Sequence, residues 1–555
     1  MGAVRGEVDP VHSTTAPDSH WTTTNIGEGM PGVQTPLSWS IWYPAADRGL
    51  RAGAYAMGVL SRAERDRAEP RFLSVFFGRG ALLVELLALI GDRLPGASGE
   101  DAVRSLYGRV PDDLVFHPTR RRYPAVALRF PRNFARGPRV LRAFARSQDD
   151  WWRDAIARVP TMDKAQATAL LVESRQRFED STIVQALVGL NSIQPVYDAL
   201  TRVVARLKAG DLSKLSSPSG GAEMAVVEDI WLASRNRLTI ADVIARHGFH
   251  GPLEGDVAAR VWREDAEPLR RMVARYERRP DGESPTERES RRSLERQSVE
   301  RALVVASPVL WRPLIRLLLR FTRNRLPLRG VAKRSMLQGI DGARAAARRL
   351  GDLLVGDGSL ANADDVFFFT VAELAEGPPV DARAIVERRK RRHATYSALT
   401  LPGNWVGEPK PMPIDDSSTA AEMPAADSKT LVLKGIGVSG GQVEGTARVV
   451  ENPDFVDVEP GEILVASTTD PSWSSIMFLS RGLVVDVGGA LSHAAVVARE
   501  LEIPCVVNTL KGTSALRTGD VIRVDGNLGT VEILSRAPVD GVASAASPHT
   551  ITDTV

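Results

Sequence analysis

The 555-residue chain has a single cysteine, Cys505, so no intramolecular disulfide can brace it and no cysteine-based zinc site can form. It also lacks a long hydrophobic run. Its most apolar stretch, residues 81–91 (ALLVELLALIG), contains Glu85 and falls well short of the ~18 apolar residues that a membrane span requires. The polar N-terminal segment has no apolar core of the kind a secretory signal needs. Excess charge of one sign is missing as well: 71 basic residues stand against 68 acidic ones, a net of +3, which creates no overall field for nucleic acid or anionic lipid. Neither a Walker A sequence nor HExxH occurs. These absences predict a cytoplasmic protein with no membrane partner, no nucleic-acid partner and no metal site of its own.

What is present suits a folded chain, with 43% apolar and 25% charged residues, enough for several cores. Residues 1–20 mix Ser, Thr, Pro and Asp and read as a disordered leader. Over 21–400, apolar residues recur at helical spacing, for example in 165–178 and 183–207, and predict a large, mostly α-helical body. Within it, 312–326 (RPLIRLLLRFTRNRL) reads as a buried helix whose arginines reach outward. Residues 401–429 carry Pro402, Pro409, Pro411, Pro413 and Pro424 and read as an interdomain linker. From 430 to 536 the pattern changes to short β-type runs with one clear helix, a small α/β module, and 537–555 read as a disordered tail. The expected fold is therefore multidomain, a helical body followed by a compact α/β domain.

Two common signatures overlap in this module, GxGxxG at 435–440 and GxSxG at 437–441. Each needs a helix after it to place a phosphate or a nucleophile. The residues that follow, QVEGTARVV, read as a strand, so a glycine turn between strands is expected instead. The informative stretch is 482–508, GLVVDVGGALSHAAVVARELEIPCVVN. A strand runs into Gly488 and Gly489, Ser492 and His493 open a helix, and Pro504 begins the next strand. A histidine at a helix N-terminus sits among outward-pointing backbone NH groups that favour an anion and disfavour an imidazolium. Two readings follow. His493 either helps cap the helix, or it is a neutral nucleophile beside a phosphate site, with the glycines admitting the phosphate and Ser492 capping or donating to it.

The same residues resemble the phosphohistidine swivel domain of the phosphoenolpyruvate-utilising enzymes, which include phosphoenolpyruvate synthase, pyruvate phosphate dikinase and rifampicin phosphotransferase. Gly488, Gly489, Ser492, His493, Ala495, Ala498, Arg499, Glu500, Ile503, Pro504 and Val506 match its GGxxSHxAxxAREhxIPxVV pattern. The resemblance implies that His493 is the residue phosphorylated as a covalent intermediate. The upstream TTDPSWSSIM is similar to the family's TDPxWTPL stretch and brings in Thr469 and Asp470 as supporting residues, with Arg499. The body is similar to the antibiotic-binding domain of rifampicin phosphotransferases. Its WTTTNIGEGMPGVQTPLSWS segment implies Thr35, Pro36 and Trp39 as substrate-binding residues, and HGFHGPLEGDVAARVWRE adds Glu254, with His250 where the family has arginine.

DDVFFFTVAEL, similar to the family's EDIFYLTxxEL, sets a register in which Arg329 and Lys333 fall on the arginine and lysine that serve phosphoryl transfer. At four-residue spacing on a helix, both cations share one face. Enzymes of this family charge the histidine from ATP on an ATP-grasp domain or from phosphoenolpyruvate on a barrel. Only about 20 residues flank the two domains at each end, whereas a folded domain needs at least ~50. The expectation is a phosphohistidine-carrying component that binds no cofactor itself, with ATP and Mg2+ held by a separate ATP-grasp subunit and the phosphoryl group passed to a small-molecule hydroxyl. The alternative is a non-catalytic ligand-binding or regulatory relative.

Overall fold

The computed structural model describes residues 9–23, 26–30, 32–107, 110–216, 222–413, 432–450, 458–469, 473–489 and 492–537. Helices fill most of the body, as the periodicity predicts, and one mixed sheet organises the C-terminal module. The body is assembled around the helix Leu328–Gly356, which packs on Lys164–Val188 and Tyr123–Arg158, while Pro36–Met57 lies along Lys164–Val188. Small residues allow the close crossings. A Cβ on Gly339 would stand 3.0 Å from Phe178 Cα, and one on Gly342 would stand 2.6 Å from Trp151 Cη2. Ala343, Ala346 and Ala347 complete a face with no solvent exposure.

One buried polar group interrupts this core. Asp341 accepts from Trp152 Nε1 at 2.9 Å, from Arg263 Nη2 at 2.9 Å and from Arg344 Nη1 at 3.1 Å. Burial alone would raise the Asp341 carboxyl, but the charges of Arg263 and Arg344 and the hydrogen bonds outweigh it and hold the pKa below the usual carboxylate range. Arg344 also donates to the carbonyls of Glu254 at 2.9 Å and Asp256 at 2.8 Å, tying the 251–259 turns to the central helix.

The body also contains a small antiparallel sheet, ordered Leu73–Phe76, Arg79–Leu83, His20–Thr22, Asn404–Val406, which the helical reading did not anticipate. It corrects both expected borders. Residues 9–20 are not a disordered leader: Val11 is buried, Ser13 N donates to Val75 O at 2.8 Å, and Trp21 pairs with both Leu83 and Trp405. Likewise 401–413 belong to the body, with Trp405 buried and Gly407 N donating to Ser19 O at 2.8 Å. Proline-rich composition locally resembles a tether, yet distant backbone groups satisfy one another here. Residues 1–8, 414–431 and 538–555, where the rest of the leader, linker and tail readings fall, lie outside the described residues. The helix Arg312–Arg325 buries Ile315 and Leu319 but exposes Leu314 and Leu317, so it is half-buried rather than enclosed.

In the C-terminal module an eight-stranded sheet runs in the order Val432–Lys434, Thr530–Ser535, Val521–Asp525, Gln442–Val450, Ile463–Ala466, Gly482–Val485, Cys505–Val507, Ile436–Ser439. Its central strands, Gln442–Val450 to Cys505–Val507, are parallel. Ile463–Ala466 and Gly482–Val485 are buried throughout, as expected of a parallel sheet covered on both faces. Ile436–Ser439 turns directly into the strand Gln442–Val450 through Gly441 at φ +111°, so neither overlapping glycine signature opens a helix.

The module docks on the body helices Ala222–Ser234, Ile240–His247 and Glu267–Glu277 through one continuous apolar cluster. At its centre Phe478 stacks on Tyr276 with ring centroids 5.1 Å apart, and the guanidinium groups of Arg279 and Arg288 each lie 4.6 Å from its ring. Phe478→Ala is expected to weaken docking by about 3 kcal/mol, in the range of buried Phe truncations. Hydrogen exchange should then accelerate over 222–234 and 267–277 while far-UV circular dichroism is retained. Unchanged exchange there would mean that Phe478 is not the anchor.

Candidate functional site

The site is built on the strand–turn–helix unit that the sequence points to. Strand Gly482–Val485 ends at Asp486, a buried carboxylate that accepts from Thr509 Oγ1 at 2.7 Å, Thr513 N at 3.1 Å, Gly512 N and Thr513 Oγ1. These bonds lock the C-terminal edge of the sheet under the turn. Sequence reasoning missed Asp486, because an aspartate after a strand signals only a turn until its burial is seen.

Ser492 caps the helix His493–Leu501 and accepts from Ala495 N at 3.3 Å. Gly488 packs closely, since a Cβ there would stand 3.1 Å from Ser492 Oγ. A Cβ on Gly489 would meet open space. Of the two glycines, then, the second faces room for an incoming group.

His493 is 6% exposed, and its Nδ1 lies 3.1 Å from Thr469 Oγ1. Burial pushes its pKa well below the ordinary histidine value, and the positive charges of Lys333 and Arg329 push it further in the same direction. The docked module thus brings His493 to the two cations that the sequence placed on one helical face, and the helix Leu328–Gly356 contains both. Asp470 lies outside the described residues.

Beside the cations is a buried carboxylate. Glu254, 2% exposed, has Oε1 3.9 Å from Lys333 Nζ, and its Oε2 accepts from His250 Nδ1 at 2.7 Å. His247, one turn away, bonds Asp229 at 2.9 Å. Its pKa is nonetheless pushed down to about 4, by burial first and then by the nearby His250.

Thr35, Pro36 and Trp39 stand at the start of a packed helix. Thr35 Oγ1 caps the helix Pro36–Met57, Pro36 occupies its first turn, and Trp39 stacks on Tyr43 in the core at 5.4 Å. That helix steadies the Glu254 turn, with Trp42 Nε1 donating to Gly255 O at 2.8 Å. Arg499 donates through Nε to Val438 O at 2.7 Å and is hydrogen-bonded to Tyr197 of the body, so it spans the docked interface. A deprotonated imidazole, two cations and a buried carboxylate together suit nucleophilic capture of an electrophile carrying negative charge.

Two family models match the chain. Residues 458–529 match the mobile domain of PEP-utilising enzymes, and residues 199–330 match the fourth domain of rifampicin phosphotransferase. An uncharacterised protein of Mycobacterium tuberculosis is 33% identical over 301 residues, 54% of this chain and 32% of that relative. Rifampicin phosphotransferase of a Streptomyces species is 40% identical over 195 residues, 35% of this chain and 22% of the relative. Rifampicin phosphotransferase of Bacillus subtilis is 32% identical over 193 residues, 34% and 21%. The chain thus aligns with about a third or less of each of these relatives. Both matched regions carry a likeness to phosphotransferases of the PEP-utilising type. Among the described residues, no helix is long and apolar enough to cross a membrane.

Folding depresses the proton affinity of both His493 and His247, so below pH 6.5 the unfolded chain binds more protons than the native one. Their joint contribution to stability is complete above pH 6.5 and is lost as pH falls toward the depressed values. Imidazole NMR should find His493 still neutral at a pH where an ordinary histidine is already protonated. Lys333→Met should shift its titration upward by removing one repelling charge, and an unmoved titration would show that Lys333 does not act on it.

Proposed function

We propose that this chain is the phosphohistidine-carrying part of a dikinase-type phosphotransferase, and that His493 passes a phosphoryl group to the hydroxyl of a small molecule. The observation that carries the reading is a buried imidazole, docked by one domain against two cations fixed on another. Thr469 Oγ1 lies 3.1 Å from Nδ1, a contact open to either tautomer, and on our reading Nδ1 carries the proton and Nε2 the phosphoryl group. With its proton kept on Nδ1, the ring leaves as a neutral imidazole when the phosphoryl group departs. Arg329 and Lys333 neutralise the group in flight, and the helix N-terminus beginning at His493 adds backbone NH groups of the same sign.

A histidine 6% exposed beneath the body cannot meet a bulky nucleotide donor where it stands. Charging therefore requires the module to leave this dock. We assign the donor to an ATP-grasp protein that holds ATP and Mg2+, outside the residues described, and the setting to the cytoplasm. By analogy with relatives named rifampicin phosphotransferase, an ansamycin or phenolic hydroxyl is the acceptor class we propose to test.

The test is labelling of wild-type protein and His493→Ala with ATP radiolabelled at the β or the γ position, with and without a genomically adjacent ATP-grasp protein. Acid-labile label that depends on the partner and is lost in His493→Ala is the expected result. No label, with a partner shown to be active on another substrate, would instead favour a non-catalytic ligand-binding relative.

A further inference from the structure

Glu254 is a carboxylate in an unusual position. It is 2% exposed, its Oε1 has no hydrogen-bond partner, and the nearest cation, Lys333 Nζ, stands 3.9 Å away, beyond hydrogen-bond distance. Leaving a buried carboxylate oxygen unmatched is unfavourable unless the oxygen serves a transient partner. Everything else about this residue is rigidly held. Its Oε2 accepts from His250 Nδ1 at 2.7 Å, and its backbone carbonyl accepts from the fully buried Arg344. Lys333, whose charge acts on His493, is the same lysine that faces Oε1.

We infer that Glu254 is the general base that takes the proton of the acceptor hydroxyl, and that His250 positions it. The inference rests on the proposed role of His493. In the transfer step the acceptor O–H proton passes to Glu254 Oε1 and the acceptor oxygen forms a bond to phosphorus. The P–Nε2 bond breaks with its electron pair returning to Nε2, leaving His493 as a neutral imidazole with its proton on Nδ1. Glu254 later releases its proton to solvent as the phosphorylated product leaves.

Lys333 couples arrival of the phosphoryl group to activation of the base. A dianionic phosphoryl group beside Lys333 competes for the ammonium that faces Glu254. The ammonium drawn toward the phosphoryl group leaves Glu254 Oε1, which has no hydrogen-bond partner, open to accept from the acceptor hydroxyl. His250 stands where the resembling sequences carry arginine. The imidazole there fixes Oε2 by a hydrogen bond from Nδ1.

The experiment bypasses the donor. Full-length protein is charged with phosphoramidate, phosphorylation of His493 is verified by mass spectrometry, and discharge to water, the smallest hydroxyl acceptor, is followed by 31P NMR. Discharge, measured on the phosphorylated fraction of each protein whatever its extent of charging, should be about 100-fold slower in Glu254→Gln than in wild type, the usual size of a lost general base. Glu254→Ala should be slow as well and should recover when formate is added, a response that a purely structural role would not give. Equal discharge from phospho-His493 in wild type and Glu254→Gln, or no rescue by formate, would overturn the general-base assignment and leave the carrier reading standing. Failure of His493 to charge in any variant would overturn the carrier reading itself and this inference with it.

Discussion

A proton and a phosphoryl group compete for the same lone pair on an imidazole nitrogen, and on the proposed reading the surroundings of His493 decide between them. Exclusion of water, two cations on the facing helix and the N-terminus of its own helix all oppose an imidazolium. The two cations and the helix N-terminus also favour a dianionic group at the same place. One electrostatic arrangement therefore keeps the nucleophile deprotonated and stabilises what it would carry. It exists only while the module is docked, because Arg329 and Lys333 belong to the body and His493 does not.

Much of the remaining structure can be understood as holding that arrangement still. The cations ride on the most deeply packed helix of the body, whose glycine and alanine faces exclude slack. Asp341, Arg344 and Arg263 form an ionic group whose desolvation is costly enough that net stability is a poor explanation for it. Its geometric product is clearer, since Arg344 clamps the backbone of the turns that present Glu254. On the other side, Asp486 fixes the end of the strand that leads into the histidine turn, and Phe478 seats the module among Tyr276, Arg279 and Arg288.

The legible part of this molecule was local. Residues 482–508 displayed strand, glycine turn, capped helix and strand in order, and the four-residue spacing of Arg329 and Lys333 placed both on one helical face. What pattern reading missed depends on long-range partners. The strand His20–Thr22 pairs with Asn404–Val406, nearly the length of the body away, so neither segment looks like a strand in its own polar, proline-bearing neighbourhood. Phe478 reads as an ordinary core residue, and nothing nearby in sequence announces Tyr276 as its partner. Thr35 and Trp39 were singled out by resemblance, and their places as helix cap and ring partner of Tyr43 depend on contacts that the pattern does not show. Asp486 and the free oxygen of Glu254 become informative only through burial.

On the proposed reading, the same charges also give the domain motion a direction. Phosphorylated His493 would bring negative charge to Arg329 and Lys333, whereas the discharged neutral ring brings none. Two unit charges about 4 Å apart interact by on the order of 4 kcal/mol at the effective dielectric of a protein surface. A difference of even part of that size biases the charged module toward the dock and loosens the discharged one. The apolar contact around Phe478 is the same in both states and sets only how long the module stays. Chemistry at one nitrogen would therefore time the exchange between donor and acceptor, with no separate latch needed.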